Sequence, residues 1–194
     1  MSRIKKQRYS HEYMMSLYNE EERLIRYFCD ENDINIINIQ HTGSLRRGRK
    51  SIGDIDFVIE TDNNSKLKEI LKHVLEYKKT MHTDFFYKKI ISDIDYDVFI
   101  ADDGYFWQMV FFLTGCEDWN KSIKRHLLSQ KPIRFTYTPF KFLKIVNNKP
   151  EKIKIYSEKD IFKLIELEYV SPENRLPYNV KFKKGKDEKS KRSL

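Results

Sequence analysis

One short stretch of the chain carries three kinds of residue that can do chemistry. Gly43 and Ser44 form a small, flexible pair at which the backbone can approach a phosphate closely. A dense cationic cluster, Arg46–Lys50, follows at once, and Asp54 and Asp56 come a few residues later. Phosphates and divalent metal ions are the common partners of these groups. We therefore interpret this stretch as the chemical centre of the molecule.

The spacing of Asp54 and Asp56 indicates a metal site. Both precede the apolar run Phe57–Ile59, which predicts a strand, and alternate residues of a strand point to the same face. Two carboxylates so close are unfavourable unless cations neutralise them. Hard oxygen ligands favour Mg²⁺ or Mn²⁺ over zinc. We therefore predict that the pair binds a divalent cation.

A third carboxylate comes from a second predicted strand, residues 93–100. Asp93, Asp95 and Asp97 fall on one face of this strand, and Asp97 directly precedes its apolar run. Carboxylates on two strands beside an arginine-rich loop suit in-line phosphoryl or nucleotidyl transfer, because two metal ions can activate a hydroxyl and hold a triphosphate. Asp97 is therefore the predicted third ligand.

The elements that must position these groups follow from apolar periodicity. We expect an α/β (α+β) fold with a mixed sheet and flanking helices, followed by a small C-terminal α+β lobe. The predicted division is 1–115, 116–180 and a basic disordered tail, 181–194. The predicted helices cover residues 10–30, 44–48, 65–77, 105–113 and 118–128, with another from Ser157, and the predicted strands cover 34–39, 54–60, 83–89, 93–100, 133–137, 140–145 and 153–156.

Composition narrows the class of protein. The net charge of +8 and pI near 9.2 favour a polyanionic partner such as nucleic acid. Two cysteines provide neither a disulfide framework nor a metal site. Apolar runs are too short for a membrane span, and the charged N-terminus does not fit a signal peptide. We therefore expect an intracellular protein, cytoplasmic or nuclear, with no membrane partner.

The central stretch resembles the DNA polymerase X family of the nucleotidyltransferase superfamily. The run 43–48, Gly-Ser-Leu-Arg-Arg-Gly, and the run 53–56, Gly-Asp-Ile-Asp, are similar to the signature of that family, spacing included. The similarity extends over about residues 38–177. Its later parts are Phe112-Leu113-Thr114-Gly115-Cys116, Trp119-Asn120-Lys121-Ser122-Ile123-Lys124 and Ser157-Glu158-Lys159-Asp160-Ile161-Phe162, with Pro172 and Arg175 downstream.

The resemblance implies a nucleotidyltransferase palm over 1–115 and a nucleotide- and template-binding lobe over 116–180. It implies that Asp54, Asp56 and Asp97 hold two Mg²⁺ ions, with Mn²⁺ as a substitute, and that Asp97 accepts the proton of the primer hydroxyl. It also implies two binding sets. The nucleotide set is Gly43, Ser44, Arg47, Gly53, Phe112, Leu113, Gly115 and Asn120, and the DNA set is Lys121 and Lys124.

Several positions depart from the family pattern. Leu113 replaces an aromatic residue of the sugar pocket, and Ile52 stands where a small polar residue is common. Asp95 stands where an arginine often pairs with the third carboxylate, which adds a negative charge that lacks an evident counterion. Lys124 replaces an arginine that contacts the template, and Cys116 replaces a serine.

We therefore predict a template-directed DNA polymerase that fills short gaps in DNA repair, base excision repair included. Its expected partners are gapped or primer-template DNA and deoxynucleoside triphosphates, and we expect a monomer. Only about forty residues precede Gly43, too few for the family's lyase module. This predicts a minimal, viral-type member, in keeping with a composition typical of an A+T-rich genome.

Two alternatives remain open at this point. One is a template-independent nucleotidyltransferase that acts on an RNA end, a protein or a small molecule. The other is a non-catalytic DNA-binding protein on the same fold.

Overall fold

The computed structural model describes residues 7–80, 83–129, 135–138, 141–147 and 149–176, with the backbone alone for 135–138. The predicted basic tail therefore lies outside the described residues. Six α-helices are present in the described part of the chain. They are α1 (His11–Asp30), α2 (Gly43–Arg46), α3 (Asn64–His73), α4 (Phe106–Thr114), α5 (Glu117–Ser129) and α6 (Glu158–Leu164), and a 3₁₀ turn follows at Pro172–Asn174.

The described strands form three sheets. They are β1 (Tyr9–Ser10), β2 (Ile36–His41), β3 (Ser51–Ile52), β4 (Asp54–Thr61), β5 (Lys78–Lys79), β6 (Phe86–Ile91), β7 (Ile94–Ile100), β8 (Phe135–Thr138), β9 (Lys141–Val146) and β10 (Lys149–Lys152). The central sheet has the order β2-β4-β7-β6-β5, a second sheet has the order β10-β9-β8, and β1 pairs with β3. The predicted mixed α/β class is therefore confirmed.

The central sheet is mixed because β4 and β7 are parallel while its other pairs are antiparallel. The connection between the two parallel strands contains α3, whose apolar side packs into the main core. One face of the sheet, which includes Ile55, Phe57, Tyr96 and Val98, is buried in that core with α1. The carboxylates therefore lie on the opposite face.

That opposite face is covered over only part of its length. Val58 and Phe99 lie on it and pack against Met109 and Val110 of α4. Towards the start of β4 and β7 the cover ends, and the residues there alternate between buried and partly exposed. The position of α4 thus leaves an open patch of sheet where the acidic residues lie.

A second core holds the C-terminal part together. Phe111 of α4, Trp119 and Ile123 of α5, and Ile161 and Phe162 of α6 are all fully or almost fully buried in it. Because α4 contributes to this core and also to the cover of the central sheet, it joins the two parts of the molecule.

Most predicted elements are confirmed, with two corrections. The predicted strand 153–156 is wrong: the third strand is β10, because Asn147 adopts a left-handed conformation (φ 50°) and the chain turns back at once. Ile155 is instead buried in the C-terminal core. The helix predicted to reach Tyr77 ends at His73, since Tyr77 turns inward and donates a hydrogen bond to Glu21 Oε1 at 3.0 Å.

Glu21 anchors α1 to the sheet through buried polar contacts. It accepts the Tyr77 bond and also pairs with Lys89 Nζ at 2.6 Å, and Lys89 lies over the Tyr77 ring. Removing one partner of a buried ion pair leaves the other charge uncompensated. This cluster fixes the face of the sheet that lies behind the carboxylates.

We predict that Glu21→Ala lowers the free energy of unfolding by about 3 kcal/mol, because Lys89 and the Tyr77 hydroxyl lose their partner. Urea denaturation measures this. The neighbouring Glu20 is exposed, so Glu20→Ala is the control and should change the value by less than about 0.5 kcal/mol. Equal effects of the two variants would contradict the role given to Glu21.

Candidate active site

The parallel register of β4 and β7 brings four carboxylates together. Asp54 lies opposite Asp95, and Asp56 lies opposite Asp97. All four side chains are partly exposed, while the residues between them are buried. The predicted acidic residues therefore share one open face of two adjacent strands. Asp93 is not among them, because it lies in the turn before β7.

The charge on this face is partly neutralised by a lysine from the next strand. Lys88 of β6 lies opposite Asp97 in the antiparallel register. Its Nζ is 2.9 Å from Asp95 Oδ2 and 3.4 Å from Asp97 Oδ1. Lys88 is thus the counterion that the sequence left unidentified for Asp95.

The surroundings of Asp97 change the pKa of its carboxyl group. Burial raises the pKa of its carboxyl group, Lys88 opposes this shift, and Asp95 and Asp54 add to it. Its Oδ1 atom is buried and receives no hydrogen bond from the described residues. An oxygen in that position is suited to a cation as its partner.

Gly43, the first residue of α2, lies directly against the side chain of Asp56 in β4. Gly43 has φ of +58°, and a Cβ atom built on it would overlap the Asp56 carboxylate. Glycine is thus required here for both conformation and space. The next residue, Ser44, has a buried Oγ atom that makes no hydrogen bond with the described residues. It is available to a ligand at the edge of the acidic patch.

Arg47 is oriented by the chain that follows α4. Its Nη1 donates to the backbone oxygen of Thr114 at 2.6 Å, while Nε is buried without a hydrogen-bond partner among the described residues. Burial lowers the pKa of the guanidinium group, against the attraction of Asp56 and Asp54, but arginine stays protonated. Arg47 therefore provides a fixed positive charge close to the carboxylates.

Arg46 links α2 to the C-terminal part of the molecule. It donates to Thr114 Oγ1 at 2.8 Å and pairs with Glu158 Oε2 at 2.5 Å. Glu158 Oε1 in turn pairs with Arg175 Nη1 at 2.6 Å, and Arg175 is fully buried against Phe111 and Phe162. One carboxylate is thus held between two guanidinium groups.

No role was predicted from the sequence for Thr114, Glu158 or Lys88. Arg46 was predicted only as part of the cationic cluster Arg46–Lys50 that suits phosphate, whereas in the structure it pairs with Glu158. Two of these residues stand in recognisable sequence patterns. Arg46 belongs to an Arg-Arg doublet, and Glu158 directly follows Ser157, which caps α6. Lys88 had no local signal, because its importance comes from a strand pairing. A lysine in a strand usually indicates only an exposed position.

The residues predicted for the nucleotide pocket lie at the end of α4 and at the start of α5, and some of them are packed in the protein core. The Phe112 ring is buried against Phe142, with centroids 4.8 Å apart, whereas Leu113 is half-buried. Asn120 Nδ2 donates to the Phe112 oxygen at 2.8 Å, and Asn120 Oδ1 is buried without a hydrogen-bond partner among the described residues. A Cβ at Gly115 would overlap this amide. The glycine and Asn120 therefore form one tightly packed turn.

The remaining residues of interest lie next to the start of β4 and on α5. Gly53 is buried directly before Asp54. Ile52, which departs from the family pattern, is fully buried and pairs with Tyr9 of β1, so it serves the core. Lys121 and Lys124 are exposed on α5, where Lys121 pairs with Glu117 at 2.6 Å. Their predicted contact with DNA stays a prediction.

The donor set suits a hard cation, since it consists of carboxylate oxygens on one face. No group of three or more His, Cys, Asp or Glu residues within the described ranges is already arranged as a metal site. The fit therefore rests on the shared face of Asp54, Asp56 and Asp97 and on the buried Oδ1 of Asp97, which accepts no hydrogen bond from the described residues.

Carboxylates on two adjacent strands beside a Gly-Ser turn form a site suited to metal-dependent phosphoryl or nucleotidyl transfer. The model of the DNA polymerase beta palm matches residues 18–103, and the model of the DNA polymerase beta thumb matches residues 109–176. The chain belongs to the DNA polymerase X family. None of the helices in the described ranges is long and apolar enough to span a membrane.

We predict that Gly43→Ala costs more stability than Gly48→Ala. Both glycines have a positive φ, so each substitution carries about 1–2 kcal/mol of backbone strain. Only at Gly43 must the new Cβ also displace the Asp56 carboxylate, because a Cβ at Gly48 would meet only the Glu173 side chain, in ordinary contact at 4.0 Å. Urea denaturation of both variants measures the difference. Equal losses would show that the apposition of Gly43 and Asp56 is unimportant.

We predict that Glu158→Gln destabilises the protein by about 3 kcal/mol near pH 7, since two buried guanidinium groups lose their counterion. Burial by itself raises the pKa of Glu158, but the bonds from Arg46 and Arg175 outweigh it and lower the pKa below its usual range. The carboxylate therefore stabilises the fold above the unfolded-state pKa, and this contribution disappears as pH falls through the folded-state pKa.

Urea denaturation between pH 7 and pH 3 tests this dependence. The difference between the parent and Glu158→Gln should shrink as the solution becomes more acidic. Glu168 is exposed, so Glu168→Gln is the control and should show a small effect at every pH. A difference for Glu158→Gln that stays constant with pH would contradict the assignment.

Proposed function

We propose that this protein is a template-directed DNA polymerase that extends a primer by metal-dependent nucleotidyl transfer. The observation that carries the proposal is the register that places Asp56 beside Asp97 and Asp54 beside Asp95, on an open face next to Arg47. Membership of the DNA polymerase X family supports DNA as the partner. The charge of +8 agrees with a polyanionic substrate.

Asp54, Asp56 and Asp97 would hold two Mg²⁺ ions, which supply Lewis-acid activation of the attacking hydroxyl and neutralisation of the triphosphate. Asp97 would accept the proton of a primer 3′-hydroxyl, and burial, which raises the pKa of its carboxyl group, is consistent with that role. The new bond joins that oxygen to the α-phosphorus of the nucleotide, and pyrophosphate leaves.

The groups next to the carboxylates suit the triphosphate. Ser44 Oγ and Arg47 Nε are buried polar atoms without hydrogen-bond partners in the described chain. Each can donate to a phosphate oxygen, and the Arg47 charge balances the leaving pyrophosphate. Gly53 keeps the backbone beside Asp54 free of a side chain. We propose that these three residues bind the β- and γ-phosphates.

The C-terminal part would complete the nucleotide pocket. Asn120 Oδ1 and the Gly115 turn lie at the end of α4, next to the Thr114 oxygen that holds Arg47. We propose that Asn120 contacts the incoming base and that the half-buried Leu113 borders the sugar, with the buried Phe112 ring supporting the pocket from the core. The helix that carries Asn120, α5, also carries Lys121 and Lys124. Both lysines are exposed to solvent, where they can contact the template strand.

The physiological setting that we propose is the filling of short gaps during DNA repair. A viral origin and a monomeric state belong to the same proposal.

We predict that Asp97→Asn lowers single-nucleotide incorporation into a gapped duplex by about a thousandfold, the effect of losing a ligand worth several kcal/mol at the transition state. The assay uses Mg²⁺ and compares each deoxy- and ribonucleotide opposite each template base. Asp93→Asn is the control, because Asp93 is exposed in a left-handed turn that asparagine tolerates.

The same assay separates the alternatives. Incorporation that ignores the template base would favour a template-independent transferase. Tight duplex binding without Mg²⁺-dependent turnover would favour a non-catalytic DNA-binding protein. An Asp97→Asn variant as active as the parent would overturn the assignment of the third carboxylate.

A further inference from the structure

The acidic face has one more carboxylate than the proposed metal ligands require. Asp95 lies on the same face as Asp54, Asp56 and Asp97, and at the same level as Asp54. An extra negative charge among carboxylates is unfavourable by itself. Asp95 therefore requires a nearby positive charge that offsets its own.

Lys88 is the partner, and it is shared. Its Nζ lies closer to Asp95, at 2.9 Å, than to Asp97, at 3.4 Å. The contact with Asp97 is an ion pair without hydrogen-bond geometry, since Asp97 Oδ1 has no hydrogen bond within the described part of the chain. Of the two lysines in the middle of β6, Lys89 faces the opposite side and pairs with Glu21. Lys88 alone of this pair can act on the carboxylates.

A cation so close to Asp97 competes with a metal ion for the same carboxylate. If Lys88 moved fully onto Asp97, the third ligand would be neutralised before the metal arrived. Asp95 offers Lys88 a second, closer carboxylate, because Asp95 and Asp97 are alternate residues on the same face of β7. The lysine can therefore release Asp97 without losing its own counterion.

We propose that Asp95 is a positioning residue that holds Lys88 away from Asp97, and thereby sets the affinity of the carboxylate face for divalent cations. This inference rests on the proposed function, because it takes Asp97 to be a metal ligand. Asp95 itself does not bind the metal. The Asp95–Lys88 pair acts as a neutral unit, so that Lys88 does not neutralise Asp97, whose charge is kept for the metal.

The effects of Asp95 and Lys88 on metal affinity should be coupled. Loss of the Asp95 charge alone should weaken Mn²⁺ binding by about tenfold, the effect of one unit charge on a divalent ion at about 6 Å in a water-like dielectric, and this effect is expected with or without Lys88. With Lys88 present, the lysine also moves onto Asp97, so we expect Asp95→Asn to weaken binding by about a hundredfold. In the Lys88→Met background only the tenfold charge effect should remain, so that the two substitutions are strongly non-additive.

Titration of Mn²⁺ followed by electron paramagnetic resonance measures these affinities without any turnover. The set comprises the parent, Asp95→Asn, Lys88→Met, the double variant and Asp97→Asn. Asp95→Ser repeats the test with a second neutral residue, and melting temperatures verify that each variant is folded. A residue with a purely structural role would shift melting temperature and leave the Mn²⁺ affinity of the folded protein unchanged.

The outcomes are distinguishable. Equal effects of Asp95→Asn in both backgrounds would overturn the inference, because Asp95 would then act directly on the metal or by charge alone. If Asp97→Asn binds Mn²⁺ as well as the parent, the metal role in the proposed function fails and the inference fails with it. If Asp97→Asn binds weakly but the coupling is missing, only the inference fails.

Discussion

The parallel pairing of β4 and β7 is the constraint on which the rest of the site depends. Parallel strands keep equivalent residues side by side, so two Asp-x-Asp runs in register produce a square of carboxylates. Such a square is electrostatically unfavourable by itself. The surrounding structure must therefore supply positive charge, through Lys88 from the next strand and Arg47 from the adjacent turn.

The same pairing explains where the site opens. The apolar half of both strands is buried on both faces, with α1 and α3 on one side and α4 on the other. The acidic half extends beyond the cover of α4. Because burying unpaired carboxylates is costly, this end of the sheet can exist only at a surface or beside cations. The open patch is thus a consequence of the residues that form it.

A second constraint joins the α2 turn to the C-terminal part. Glu158 is buried between Arg46 and Arg175, and Thr114 receives bonds from both Arg46 and Arg47. Buried charges require well-defined geometry to offset their desolvation. The position of the turn that carries Ser44 is therefore coupled to α6 and to the end of α4. A shift of the C-terminal part would move this turn, which lies next to the carboxylates.

The amino-acid sequence by itself determined the elements and the main candidate residues. Alternation placed Asp54 with Asp56 and Asp95 with Asp97, because the side-chain period of a strand is a local property. The tertiary structure decided which strands are neighbours, and so gave Asp95 a counterion in Lys88 and turned Phe112 into a core residue. It also assembled Arg46, Glu158 and Arg175 from distant positions. Contacts between residues far apart in the chain follow from packing, which local patterns do not encode.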